Sequence, residues 1–180
     1  METIYHNNSG FYFNKKINIQ PHQEMNLISL GTRKKYMLVL YGAALYTYPE
    51  IKKISDIFRP VYTKCIQLKF YRSLDYENMY KSLVDTISKR IQLYKIKKEL
   101  NQMYTIFKNI RFIENSDVIN ILWYSDTIEF TYNNIFVGRI KNNSFAEAIY
   151  NCYLDENSIT PDILNDHQND IVNIFSNLNL

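Results

Sequence analysis

Three short apolar segments decide the fold: Val118-Ile119-Asn120-Ile121-Leu122-Trp123-Tyr124, Thr127-Ile128-Glu129-Phe130-Thr131-Tyr132 and Ile135-Phe136-Val137-Gly138-Arg139-Ile140. Only Ser125-Asp126 and Asn133-Asn134 separate them, so they read as a three-strand antiparallel meander. Asn133-Asn134 suits a two-residue hairpin turn because Asn tolerates the positive φ such turns require. Downstream, Ser144-Phe145-Ala146-Glu147 has the pattern of a capping box, and the helix it opens presents Phe145, Ile149, Cys152 and Tyr153 on one side. Thr160-Pro161 starts a last helix with Thr160 as cap and an apolar stripe of Ile163, Ile171 and Ile174.

Upstream, Cys65 to Tyr71 alternates as a strand with Ile66, Leu68 and Phe70 on one face. A helix follows, with Asp75 as N-cap, Glu77 in the first turn, and Met79, Leu83, Ile87 and Ile91 recurring every fourth residue. A second helical piece carries Leu100, Met103, Tyr104 and Phe107. Lys35 to Tyr46 is apolar and fits either a strand or a helix; its Gly42-Ala43-Ala44 stretch points to close backbone approach or a concave wall beside a cavity. Pro49 and Pro60 bracket an irregular segment. The first thirty residues read as short strands, the last of them Met25 to Leu30, closed by Gly31. Strands, two helices, a meander and two helices make an α+β protein, with helices layered on a mainly antiparallel sheet.

The 180 residues are expected to form one domain, 1–180, and 46% hydrophobic content supplies a core. That core is aromatic, with 16 Tyr and 10 Phe against one Trp. A net charge of +3 is too small for a nucleic-acid binder. The local run Lys89, Arg90, Lys95, Lys97 and Lys98 reads as a solvated helix end. Cys65 and Cys152 make neither a disulfide framework nor a zinc pattern. His6, His22 and His167 have no ligand spacing, Ser29 and Ser125 lack a nucleophile elbow, and Asp117, Asp126 and Glu129 read as solvated acids at strand ends and turns. Four glycines leave no phosphate-cradling pattern. The sequons at Asn7 and Asn142 are read as chance matches, since neither a signal peptide nor an apolar run of about 20 residues is present. The expectation is a cytoplasmic protein without a cofactor or a membrane-spanning segment, with organellar import and a protein partner left open.

One further stretch carries more. Gly31-Thr32-Arg33-Lys34-Lys35-Tyr36 followed by Val39-Leu40-Tyr41-Gly42-Ala43-Ala44-Leu45-Tyr46 resembles the signature of the chalcone isomerase-like family. The resemblance continues in order through Ile66 to Arg72, the meander with its Val137-Gly138 step, Phe145 to Ile149 and Ile159-Thr160-Pro161, covering residues 10 to 175. It implies an open-faced sandwich, a large antiparallel sheet covered by a layer of helices, with a ligand cleft between them. The family includes true isomerases, fatty-acid binders, non-catalytic relatives and a haem-binding branch.

Arg33 falls at the family's cleft arginine, which orients an enolate in isomerases and a carboxylate in fatty-acid binders. Tyr41 falls where isomerases carry threonine and fatty-acid binders tyrosine. The isomerase tyrosine and asparagine of the first long helix match Asp75 or Tyr76 and Ser82 or Leu83, and the later serine or threonine matches Cys152, read as an inert wall residue. These departures imply a non-enzymatic binder of a fatty acid or similar small apolar carboxylate. Arg33 would neutralise the head group and Tyr41 would donate to it. Tyr76, Met79, Leu83, Tyr104, Ile149 and Cys152 are the candidate lining. The alternatives are a divergent isomerase or lyase acting on an enone through Arg33, and a scaffold whose cleft is filled by aromatic side chains. Haem binding is a minor alternative, because no histidine falls in the cleft.

Overall fold

The computed structural model describes residues 2–19, 24–49, 54–57, 59 and 62–165. His22, Pro60, His167, Ile171 and Ile174 lie outside the described residues. In chain order the strands are β1 (Thr3–His6), β2 (Phe11–Asn14), β3 (Lys16–Asn18), β4 (Glu24–Lys35), β5 (Leu38–Thr47), β6 (Lys64–Phe70), β7 (Leu74–Asp75), β8 (Phe112–Ile113), β9 (Val118–Tyr124), β10 (Thr127–Tyr132) and β11 (Ile135–Lys141). The helices are α1 (Ile54–Ile57), α2 (Tyr76–Ile87), α3 (Lys97–Ile110), α4 (Asn143–Leu154) and α5 (Asp162–Asn165).

Seven strands form one antiparallel sheet in the order β11-β10-β9-β6-β5-β4-β3. Alternation assigns its two faces. Ala43, Leu45, Ile66, Leu68, Phe70, Ile119, Ile121, Ile128 and Phe130 join the buried positions of α2, α3 and α4 in one cluster. On the other face Met25, Leu27, Ala44, Tyr46, Cys65 and Leu122 pack with Phe11 and Phe13 of β2. Where that face leaves the N-terminal hairpin it turns polar, and Gln67 donates to Asn120, which donates to Thr131, each at 2.9 Å.

The meander forms as its alternation requires, and Asn133 and Asn134 adopt φ of 48° and 66°. Lys35 to Tyr46 resolves into a tight turn and strand β5. Asp75 caps α2 by accepting from the Asn78 N–H at 2.8 Å; the helix ends at Ile87, short of Ile91.

Several expectations are corrected. Gly31 does not close a strand: β4 runs through it, because its bare Cα gives room to the chain entering α5, and a Cβ there would lie 2.8 Å from Ile163 Cβ and 2.9 Å from its backbone nitrogen. The cap of α4 is Asn142, which accepts from the Phe145 N–H at 3.0 Å, rather than Ser144. Arg90 is not a solvated helix-end charge. Its guanidinium forks onto Asp155 at 2.6 and 2.7 Å and donates to the carbonyls of Thr86 and Asn157, tying the end of α2 to the chain after α4. Glu129 is buried on β10 and accepts from Tyr124 Oη at 3.1 Å.

Candidate functional site

The site begins with strand register. A bulge between Leu27 and Ser29 sets Ser29, Gly31 and Arg33 on the helix-side face of β4, opposite Leu45, Ala43 and Tyr41 of β5. A second irregularity follows Arg33, as the hairpin narrows toward its tip. Ser29 Oγ donates to the Ile163 carbonyl at 2.5 Å, and Arg33 Nη1 to the Ile159 carbonyl at 3.3 Å. The same face of β4 therefore supports the segment between α4 and α5 at successive positions.

Arg33 and Tyr41 are direct cross-strand partners, which places both side chains on one face. Tyr41 is buried and packs on Phe70 with ring centroids 5.3 Å apart. Together with Lys35, Leu40, Leu74, Asn78, Met79, Ser82, Leu83, Tyr153 and Ile159 they line a cleft of about 310 Å³ between β4–β5 and α2. Arg33, Lys35, Tyr41, Asn78, Ser82 and Tyr153 supply its polar groups, and Leu40, Leu74, Met79, Leu83 and Ile159 its apolar wall. Another depression, along α3 between Lys97, Lys98, Asn101, Gln102 and Thr105, is lined only by exposed polar chains.

Burial drives the chemistry of the two phenols. It pushes the Tyr41 hydroxyl well above its ordinary pKa, and the Arg33 charge pulls it only partly back. Tyr153 is raised for the same reason, with Arg33 again opposing. Among the described residues Tyr153 Oη is buried without a well-formed hydrogen bond, and the Tyr41 hydroxyl lies near enough for each phenol to perturb the other's ionisation. Both phenols stay protonated at neutral pH and present themselves as donors.

Of the residues singled out from sequence, Arg33, Tyr41, Met79 and Leu83 line this cleft. Tyr76, Tyr104, Ile149 and Cys152 lie outside its lining. Tyr76 Oη sits 3.5 Å from Tyr104 Oη, and Tyr104 meets Tyr80 edge-on, so these rings form a seam between α2 and α3. Ile149 is core. Cys152 Sγ donates to the Ala148 carbonyl at 3.2 Å, and burial pushes its thiol up to about 12. An α-helix turns about 100° per residue, so the neighbouring Tyr153, not Cys152, faces the cleft. Asn78, missed by sequence reasoning, and Ser82, matched from sequence to an isomerase position but not placed in the lining, each precede a lining residue on α2 and flank the same stripe. Among the described residues, no group of histidine, cysteine and carboxylate side chains is placed to hold a metal ion, and no helix is long and apolar enough to cross a membrane.

A family model described as chalcone isomerase-like matches residues 6–165. A search of curated proteins finds no match. Among solved structures, the chain is similar to a fatty-acid binding protein of Arabidopsis thaliana, with a TM-score of 0.79 and 16% identity, over 97% of this chain and 100% of that one.

Proposed function

This chain belongs to the chalcone isomerase-like family, and on that premise we propose that its cleft binds a fatty acid or similar apolar carboxylate without turning it over. The observation that carries the reading is the pairing of Arg33 with Tyr41 across β4 and β5, in a cleft that Leu40, Leu74, Met79, Leu83 and Ile159 also line. A guanidinium fork matches a carboxylate with two parallel hydrogen bonds, and the neutral phenols of Tyr41 and Tyr153 add donors. A buried hydroxyl without a well-formed hydrogen bond is costly, and a ligand oxygen would satisfy Tyr153. The resemblance to a fatty-acid binding protein supports the same ligand class.

Binding is favoured over isomerisation by the character of the polar groups. Isomerisation of an enone needs a positioned general acid or base as well as groups that stabilise the developing anion. Among the described residues the lining contains no histidine or carboxylate, so that role would fall to a phenol, and burial keeps both phenols from acting as bases. Such a cleft stabilises an anion that arrives already formed.

The test is native mass spectrometry of the purified protein before and after delipidation, followed by titration with long-chain fatty acids. Arg33→Ala is expected to weaken binding by about 1.5–3 kcal/mol, the value of a hydrogen bond to a charged group. Tyr153→Phe removes only the hydroxyl and is expected to lose about 0.5–1.5 kcal/mol. Unchanged affinity in Arg33→Ala, or a bare protein that takes up no fatty acid, overturns the reading. Turnover of a chalcone abolished by Arg33→Ala would replace it with the isomerase.

A further inference from the structure

The β4–β5 hairpin closes on Tyr36 and Met37, with φ of 49° and 68°. Both central residues of a two-residue turn at positive φ call for Asn or Gly. The β10–β11 turn obeys that rule with Asn133-Asn134, whereas β4–β5 puts two bulky side chains in the same backbone state. Packing does not account for them, because Tyr36 is 87% and Met37 95% exposed. The turn thus gives up local stability to hold an apolar pair in solvent, the kind of outlier that marks a functional position.

The tip belongs to a larger apolar surface. Leu38 adjoins it, and Tyr71, just past β6, donates its N–H to the Leu40 carbonyl. Ile135 and Phe136 begin β11, and Phe112 of β8 is tied to the end of β10 by Tyr132. All are exposed, and all lie at the end of the sheet where β4, β6 and β10 finish. Seven of the eleven exposed large hydrophobic residues among those described gather there. From β4 to β11 the row crosses five strand spacings, about 24 Å. At the tip its charge favours an anionic partner, because Lys34 and Lys35 adjoin Tyr36 and no acid lies between Gly31 and Pro49. Lys34, Lys35, Arg72 and Arg111 are exposed around it. The acids nearby, Asp75, Glu114 and Asp117, stay charged but belong to the β7–β8 side of the patch rather than to the hairpin.

We propose that this end of the sheet docks on an anionic lipid bilayer, with Tyr36 and Met37 entering the interface and Lys34 and Lys35 meeting the head groups. An exposed two-residue tip beside an apolar row fits a broad soft surface better than the groove a peptide would need. Lysines beside an exposed aromatic match the make-up of membrane interfaces. The docking rests on the fatty-acid reading for its purpose and not for its geometry: Lys35 and Leu40, which flank the tip, also line the cleft, so the bilayer would lie beside the ligand's compartment.

The experiment is vesicle flotation of the full chain after delipidation, with phosphatidylcholine alone and with equimolar phosphatidylserine added. The wild type is expected to float with the anionic vesicles and to be released by salt. Tyr36→Asn combined with Met37→Gly installs the preferred turn, so the fold should hold or strengthen, while vesicle affinity should fall at least about tenfold through the lost apolar insertion. Lys34→Gln should weaken binding about fivefold. Fatty-acid uptake in solution, read by native mass spectrometry, should be unchanged in the tip variant, so a failed cleft and a failed docking surface give different results. A wild type that stays with the pellet, a tip variant that floats equally well, or a wild type that self-associates through the tip in sedimentation velocity overturns the proposal.

Discussion

Lys64 offers the sharpest check on the electrostatics of this fold. It is fully buried on β6, opposite Trp123 of β9. Its Nζ donates to the carbonyls of Ile57 and Arg59 and stands 4.5 Å over the Trp123 ring and 4.7 Å over that of Tyr150. Burial lowers its pKa from 10.5 to about 8. Between those values the unfolded chain binds more protons than the folded one, so stability contributed by this group rises with pH. From about pH 7 to about pH 9.5 the gain is about 2 kcal/mol. Higher pH is avoided because burial raises the phenols of Tyr46 and Tyr150, and such groups lose stability as pH passes their unfolded pKa. The perturbation is Lys64→Met, which keeps the packing against the rings but leaves two carbonyls without a donor, an offset of about 1–3 kcal/mol per group. That offset does not titrate, so it cancels when the pH dependence of the variant is subtracted from that of the wild type. The assay is urea unfolding of both proteins across the window. A flat difference would refute the reasoning and mean that the carbonyls and ring faces hold the ammonium near its ordinary pKa despite burial.

Two further outcomes follow from packing. Gly31→Ala drives a Cβ into the backbone of Ile163; overpacking of about 1–3 kcal/mol, partly offset by about 0.4–1 kcal/mol from a stiffer unfolded chain, leaves a net loss of about 1–2 kcal/mol. At about 2–4 °C per kcal/mol for a chain of this size, calorimetry should show Tm falling by several degrees, and an unchanged Tm would count against the contact. Arg90→Ala and Asp155→Asn should be strongly non-additive, with a coupling of about 1–3 kcal/mol in a double-mutant cycle; additive losses would show that the fork is only a surface pair.

The meander was legible in the sequence because both of its determinants are local: an alternating apolar pattern, and a turn filled by residues that suit positive φ. The Asp75 cap was readable for the same reason. Gly31 misled because its role is set by Ile163, 132 residues away, and a local reading takes glycine as a stop. Ser144 fitted the capping pattern, yet Asn142, in extended backbone with φ of −170°, accepts the bond. In the cleft, Arg33 and Tyr41 were recognisable from the order of residues around them. Tyr153 was not, since aligning a helix one position out moves the chosen side chain by about 100°. Lys64 and Arg90 carried no sequence signal at all: a lysine or arginine reads as solvated until the fold supplies carbonyls, rings or a carboxylate around it.

The support for the cleft and its arginine come from the same strand. Ser29 and Arg33 each hold a carbonyl of the 159–163 segment, and Gly31 between them lets that segment approach. Ile159 in turn lines the cleft, so on the proposed reading Arg33 has a ligand-facing duty beside its structural one. The guanidinium can perform both, because among the described residues one of its five donors is used, on Ile159, which leaves others for a carboxylate. If the proposed head-group contact exists, removing Arg33 weakens the cleft wall as well as that contact, and an affinity loss in Arg33→Ala would have two sources. Arg33→Lys separates them: it retains the positive charge and a donor but not the planar fork. If bidentate recognition dominates, this variant should bind poorly while its Tm stays near that of the wild type. If the wall dominates, affinity and Tm should fall together in both variants.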